Sequence, residues 1–177
     1  GLGTSKNMRK ANYWLSKAAA RKHIKARRQL ELISSNSKHS DNTARENFQL
    51  AVHAIQKKDP ERLNDIIRQI NINNTDKSGN SLLHIAALYR NRSAASLLLK
   101  NKINKDVSNN DGNTALIISA GKGDLLFSKM IITPGNINKK NKKGETALSM
   151  AAKNGQPEII ETLLRQKAKT GIKDNHD

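Results

Sequence analysis

Gly79-Asn-Ser-Leu-Leu-His-Ile-Ala-Ala87 returns twice in this chain, as Gly112-Asn-Thr-Ala-Leu-Ile-Ile-Ser-Ala120 and as Gly144-Glu-Thr-Ala-Leu-Ser-Met-Ala-Ala152. The three glycines stand 33 and 32 residues apart, a period that marks stacked supersecondary units rather than a compact catalytic domain. Leu97-Leu98, Met130-Ile131 and Leu163-Leu164 follow in the same phase, so each unit carries a second apolar element. Ser81, Thr114 and Thr146 each offer a hydroxyl to the free amides of an opening helical turn, and the glycine before them suits a turn with positive φ. Leu83, Leu116 and Leu148 then point one large side chain inward. Ala86/Ala87, Ser119/Ala120 and Ala151/Ala152 keep the next turn thin, so neighbouring helices can approach closely. Gly123 and Gly155 stand where this first helix must stop, and a leucine-rich second helix runs back antiparallel to it.

The pattern resembles the ankyrin repeat, whose consensus phrase is Gly-x-Thr-Pro-Leu-His-x-Ala-Ala, followed by Gly and later by Leu-Leu. Ser81, Leu83, His84, Ala86 and Ala87 fall on consensus positions in the best copy. No copy carries the proline, only the first carries the histidine, Arg90 stands in place of the helix-ending glycine, and about two extra residues separate Ile103 from Gly112. The resemblance implies an all-α solenoid of stacked antiparallel helix pairs with turn fingers, here divergent and with irregular fingers. A degenerate unit precedes the three full ones, because Ala54–Ile67 aligns with Ala151–Leu164 through Pro60-Glu61 and Pro157-Glu158. It lacks the Gly-x-Thr turn, as suits an N-terminal cap whose outer face has no neighbour. The array is thus expected over 45–177, with the cap at 45–75 and repeats at 76–108, 109–140 and 141–174. The first helix of the last unit, with Leu148, Met150 and Ala151, is not conspicuously polar, which leads us to expect that the natural protein continues past Asp177.

The front of the chain differs. Residues 6–34 read as a basic helix, with Leu15, Ala19, Ala26, Leu30 and Ile33 near one stripe. Residues 35–44 read as a polar linker. Residues 1–5, Gly-Leu-Gly-Thr-Ser, read as a cloning remnant. Of the net charge of +17, residues 1–40 carry +9, from ten Lys/Arg against one acid. Arg21, Lys22, Lys25, Arg27 and Arg28 form the densest basic cluster, which suits a nucleic-acid or anionic-membrane contact or simply a solvated face. Tyr13 and Trp14 precede the cluster rather than interleave with it, unlike a base-stacking platform.

Composition narrows the remaining classes. No run approaches 18 apolar residues, so the sequence shows no helix able to cross a bilayer. Zero cysteines exclude a disulfide scaffold and a thiolate zinc site, and fit a reducing compartment. The five histidines, His23, His39, His53, His84 and His176, are scattered without ligand spacing, and no cofactor or metal is expected. Gly121-Lys-Gly-Asp124 lacks the phosphate-loop spacing and falls at an expected helix end. No serine or acid sits in a nucleophile motif, so catalysis is not expected within this chain, although a further domain could carry it.

What the resemblance implies is a protein-binding scaffold or targeting module whose concave face is built from finger tips and the flanks of the first helices. Partner-facing positions carried over are Lys77, Ser78, Asn80, Leu88 and Tyr89 in the first unit. The second supplies Asn110, Asp111, Asn113 and Lys122, and the third Lys142, Lys143, Glu145, Lys153 and Asn154. His84, on the ankyrin histidine position, is expected to brace adjacent turns. Leu88 and Tyr89 either form an exposed anchor or pack under an adjacent finger. The lysines favour a protein partner with an acidic patch, met by a monomer, with no small-molecule substrate. Abundant asparagine and lysine, 21 and 22 residues, suggest an AT-rich genome and, with the array, a host-directed bacterial effector acting inside a cell, in the cytoplasm, the nucleus or the host cytosol.

Overall fold

A computed structural model of the chain describes residues 10, 11, 13–17 and 24–172. Eight helices follow in order among the residues from 24 onward: α1 Ile24–Lys57, α2 Pro60–Ile67, α3 Leu82–Leu88, α4 Arg92–Lys100, α5 Ala115–Gly121, α6 Leu125–Ile131, α7 Ala147–Lys153 and α8 Pro157–Arg165. The chain divides into two compact units, Gly1–Glu46 and Asn47–Asp177. In the second unit α3, α5 and α7 pack in one row and α2, α4, α6 and α8 in another, each pair lying side by side. This is the expected all-α stack of helix pairs.

Local chemistry sets the helix ends. Thr114 Oγ1 accepts from Ile117 N at 3.2 Å, and Thr146 with Ser149 closes a capping box, Thr146 N donating to Ser149 Oγ at 2.8 Å. The second helices start on Asp59, Asn91 and Asp124, whose side-chain oxygens accept from Arg62, Ala94 and Phe127 amides. Pro60 and Pro157 occupy first-turn positions, where a missing N–H costs nothing. Between paired helices the backbone turns through positive φ at Gly123 and Gly155, and also at Lys58 and Arg90. Arg90, at φ 50°, therefore adopts the glycine conformation that the sequence pattern demands, at a cost of about 1 kcal/mol.

The core is one continuous seam. Leu63, Leu98, Phe127 and Leu163 from the second helices are fully buried against Leu83, Leu116, Ala120 and Ala151 from the first. Alanine and serine keep the row of first helices thin: Ala87 and Ala120 have no exposed surface, and Ser119 Oγ lies 2.9 Å from Ser128 Oγ across the α5–α6 pair. Asp124 is buried between units, with Arg92 Nε 2.8 Å from its Oδ1 and Arg90 Nε 3.9 Å from its Oδ2. Asp124 is the buried member of this cluster, so removing Arg92 leaves its carboxylate short of its nearest charged partner.

Two features depart from the sequence reading. The irregular unit is the second full one. Helices α4 and α8 each have nine residues and exit through a positive φ, at Lys102 and Lys167, onto buried Ile103 and Ala168. Helix α6 has seven and leaves in extended backbone at Ile132, because Pro134 cannot continue a helix and pushes Thr133 out of it. Buried Asn136 closes the resulting loop, Nδ2 donating to Ile131 O at 2.9 Å and to Lys105 O at 3.3 Å. The second departure is the polar stretch 35–44, which is helical within α1 rather than a linker. Its serines and asparagines weaken a helix by tenths of a kcal/mol each, but it contains no glycine or proline to stop one.

Candidate protein-binding surface

Each finger is built on one Asx residue that the sequence repeats: Asp76, Asn109 and Asn141. Asp76 Oδ1 accepts from the amides of Ser78 and Asn80, both at 2.8 Å. Asn109 Oδ1 accepts from Asp111 and Asn113 at 3.0 and 2.9 Å, and Asn141 Oδ1 from Lys143 and Glu145 at 2.9 Å. The turn closes on Gly79, Gly112 or Gly144 at φ 75–80°, a conformation favouring glycine. Space requires it as well. A Cβ on Gly112 would stand 2.8 Å from Lys142 N and 2.9 Å from Asn141 Cα, in the backbone of the next finger.

The amide nitrogens of the same asparagines join the fingers. Asn109 Nδ2 donates to Asn80 Oδ1 at 2.9 Å, and Asn141 Nδ2 to Asn113 Oδ1 at 2.9 Å and to Glu145 Oε2 at 2.8 Å. Backbone bonds run beside them, Asn110 N to Ser78 O and Lys142 N to Asp111 O, each 2.9 Å. His84 adds a third tie. Its Nδ1 accepts from Ser81 N at 3.1 Å, so Nε2 carries the proton and donates to Asn113 O at 2.9 Å. Burial holds the His84 pKa below its ordinary value, only partly offset by the Asn113 carbonyl and by Asp76. The bracing role expected of this histidine is what the structure shows.

The expected partner-facing residues therefore separate into two groups. Asn80 and Asn113 are half-buried and Glu145 is buried, their polar side-chain atoms bonded within and between fingers. Glu145 is additionally held by Lys153 at 2.9 Å, and its pKa is lowered first by the Asn141 hydrogen bond and then by Lys153. Lys77, Ser78, Asn110, Asp111, Lys142 and Lys143 are exposed at the finger tips, although Asn110 also bonds back to Lys77 O. Lys122, Lys153 and Asn154 are exposed at the ends of α5 and α7. Leu88 and Tyr89 are 39% and 47% exposed, so neither packs beneath a finger, and Gln56 Nε2 donates to the Tyr89 hydroxyl at 3.0 Å.

Sequence reasoning weighed Gly121 only as part of a phosphate-loop pattern and missed its packing role. It occupies the position of Leu88 in the next unit, and a Cβ there would meet Met150 Cε at 3.0 Å and Asn154 Nδ2 at 3.7 Å. The missing side chain leaves room for the Met150 methyl of the next unit. The signal was available: Leu88, Gly121 and Lys153 share one register, and only one of them lacks a side chain.

Of the anion-binding candidates, Arg21 and Lys22 lie outside the described residues. Lys25 and Arg27 fall on α1, with side chains outside the description, and Arg28 is exposed. Tyr13 and Trp14 are exposed on a short helical stretch, ring centroids 5.5 Å apart and edge to face, with Lys17 Nζ 5.0 Å from the tyrosine ring and 5.7 Å from the indole. Among the described residues no group of His, Asp and Glu could hold a metal, and no helix is long and apolar enough to cross a membrane.

Comparison with known proteins agrees with this geometry. Residues 50–141 and 104–174 match the family described as ankyrin repeats, three copies. The chain is 32% identical over 124 residues to the nuclear factor NF-kappa-B p105 subunit of Gallus gallus, covering 66% of this chain and 13% of that protein. It is 35% identical over 69 residues to a fem-1 homolog A-like protein of Mus musculus, covering 38% of this chain and 11% of that one. A putative ankyrin repeat protein, L371, of Acanthamoeba polyphaga mimivirus is 33% identical over 102 residues, covering 57% of this chain and 13% of that one. The matched region is thus a small part of each relative. A period near 33 residues, helix pairs joined by Asx-built fingers, a bridging histidine and the match across three copies together make this chain a member of the ankyrin-repeat family.

Proposed function

We propose that the array is a protein-binding scaffold or targeting module, engaging its partner through the finger tips and the exposed ends of the first helices. The observation that carries this reading is Tyr89, an aromatic ring exposed beside exposed Leu88 with its hydroxyl tied to Gln56. Tethering limits the rotamer entropy lost on binding, and aromatic side chains next to an apolar surface are the commonest affinity anchors. Lysines at 77, 142 and 143 on the finger tips and at 122 after α5 are exposed, favouring a partner with an acidic patch and raising its association rate more than its final affinity. The lack of cysteine fits a partner met inside a cell.

Peptide display against the 177-residue chain tests this. Acid-rich peptides bearing an aromatic or aliphatic anchor should be selected. Tyr89→Ala should weaken them by roughly 30-fold, the equivalent of about 2 kcal/mol, and Lys142→Glu with Lys143→Glu should slow association and flatten its salt dependence. Selected peptides without acidic character that bind the triple variant as well as the parent would refute it.

A second reading attaches to the N-terminal unit, where exposed Tyr13 and Trp14 accompany a +9 segment. An interfacial aromatic pair beside lysines and arginines suits an anionic membrane or nucleic acid. Co-sedimentation with phosphatidylserine vesicles and a gel shift with single-stranded RNA, both at low salt, should each show loss on Trp14→Ala if the reading holds; no binding to either eliminates it.

A further inference from the structure

One outward position on the second helices breaks the pattern of the others. The second residue of α2, α4 and α8 is Glu61, Ser93 and Glu158, whereas α6 has Leu126 there. All four are exposed, Leu126 at 54%. A single exposed leucine needs no explanation in itself. Exposed Lys129, however, stands three residues on, beside Leu126 on the same side of α6, and at Lys129 a groove begins.

The groove follows from the early end of α6. Because α6 stops after seven residues before Pro134 while α8 runs for nine, the last turn of α8 is left without a full helical turn beside it. Two adjoining hollows of about 350 and 310 Å³ open there, with Ile132 and Gln166 common to both. Lys129 on the α6 side and Thr162 and Arg165 on the α8 side wall the first. Pro134 and Ile137 give the second an apolar lining, and Lys167 stands at its edge. Neither hollow has a carboxylate among its lining residues. The neighbouring acids are already engaged, Glu161 accepting from Arg165 at 2.6 Å and Asp106 from the Thr133 hydroxyl. The Arg165–Glu161 pair is exposed on both sides, so it is weak enough to give way to an incoming carboxylate.

We propose that this strip, from Leu126 through Ile132 to Ile137, is a second docking surface for an acidic peptide segment carrying an aliphatic or aromatic anchor. Charge complementarity selects the occupant: Lys129, Arg165 and Lys167 border an apolar floor, and carboxylates flanking an apolar side chain match that arrangement. Each hollow is at the small end of the range for ligand pockets, and two in line suit an extended segment better than one compact molecule. The lining residues include no aromatic ring on which a base could stack, so a nucleic acid is the poorer fit. The strip uses α6, α8 and the loop after α6, and none of the residues assigned to the finger face, so the two surfaces can be altered independently.

Random-peptide display against the 177-residue chain carrying Tyr89→Ala, Lys142→Glu and Lys143→Glu tests this with the finger face disabled. Selected peptides should place Asp or Glu on both sides of a Leu, Ile or Phe. Their affinity, read by fluorescence anisotropy, should fall roughly 10-fold or more with Leu126→Ser plus Lys129→Glu. Restoring Tyr89, Lys142 and Lys143 should change it by no more than about 3-fold. Leu126 and Lys129 are exposed, so the circular dichroism melt should not move with their substitution. Failure to select any peptide, selection of peptides without acidic residues, or acidic peptides whose binding survives Leu126→Ser with Lys129→Glu overturns the proposal and leaves the finger-face reading untouched. So does single-stranded RNA that binds the same chain more tightly than the peptides and is lost on the same two substitutions, because the occupant is then a nucleic acid.

Discussion

Replacing His84 by glutamine separates two jobs of one side chain. Its Nδ1 accepts from Ser81 N at 3.1 Å inside α3's first turn, and its Nε2 donates to Asn113 O at 2.9 Å in the next finger. Glutamine at the third helical position can still reach back to the cap amide, but it cannot also span to Asn113. The expected loss is one buried inter-unit hydrogen bond plus imperfect filling of the ring's place, about 1–2 kcal/mol. Alanine removes both bonds and leaves a cavity, about 3–4 kcal/mol. The pH dependence is the sharper measure. Burial depresses the folded-state pKa of His84 below 6.5, so above that value the ring is neutral in both states and its full contribution is present. As pH falls below 6.5 the unfolded chain takes up a proton that the folded chain refuses, and stability drops by at most about 1.4 kcal/mol per pH unit until the folded pKa is reached. Urea unfolding followed by circular dichroism at pH 7.5, 6.5 and 5.5 measures this directly. The wild-type chain should lose more stability than His84→Gln between pH 6.5 and 5.5, and the two curves should converge. Parallel curves would refute the assignment of a neutral, buried bridging histidine.

Four further perturbations follow from the same geometry. Asn109→Ala removes the Oδ1 that accepts from two amides of its own finger and the Nδ2 bridge to Asn80, and should cost about 2–3 kcal/mol in urea unfolding. Gly155→Ala meets no atom within 4 Å and suffers only from its φ of 64°, whereas Gly112→Ala also meets the next finger's backbone; both lose stability, Gly112→Ala by about 2 kcal/mol more. Lys167→Gly relieves a positive φ at an exposed position and should raise the urea midpoint by the equivalent of about 0.5–1 kcal/mol. Glu145→Gln loses the charged partner of Asn141 and Lys153; the folded pKa lies below 4.5, so the wild-type advantage is present above 4.5 and disappears as pH falls through the folded value, a window separate from that of His84.

What the sequence made legible was whatever recurs with a fixed spacing. Helix starts at Ser81, Thr114 and Thr146 follow from a hydroxyl placed just after a glycine, and both requirements are local. The second unit was harder to read because counting residues from Ile103 to Gly112 locates a length difference without saying which unit is regular. Only the exits at Lys102 and Lys167 show that α4 and α8 agree and that α6, cut short by Pro134, is the exception. The stretch 35–44 misled in the opposite sense, since low propensity was taken for a break when nothing in it forbids a helix. At the binding surface the limit was directional. Carrying over positions around each glycine names residues at the right height in the array but not the way their polar atoms point, and in an Asx-built finger alternate residues point differently. Asn80, Asn113 and Glu145 turn to bridge fingers, while Lys77, Ser78, Lys142 and Lys143 stay exposed. An asparagine at the second-to-last finger position is therefore part of what holds neighbouring units in register. Substituting it changes the spacing of the tips, and a partner that reads those tips would respond without touching the altered side chain. Loss of binding on mutating Asn80 or Asn113 should accordingly come with loss of stability, whereas loss on mutating Tyr89 should come mainly as faster dissociation from a folded chain.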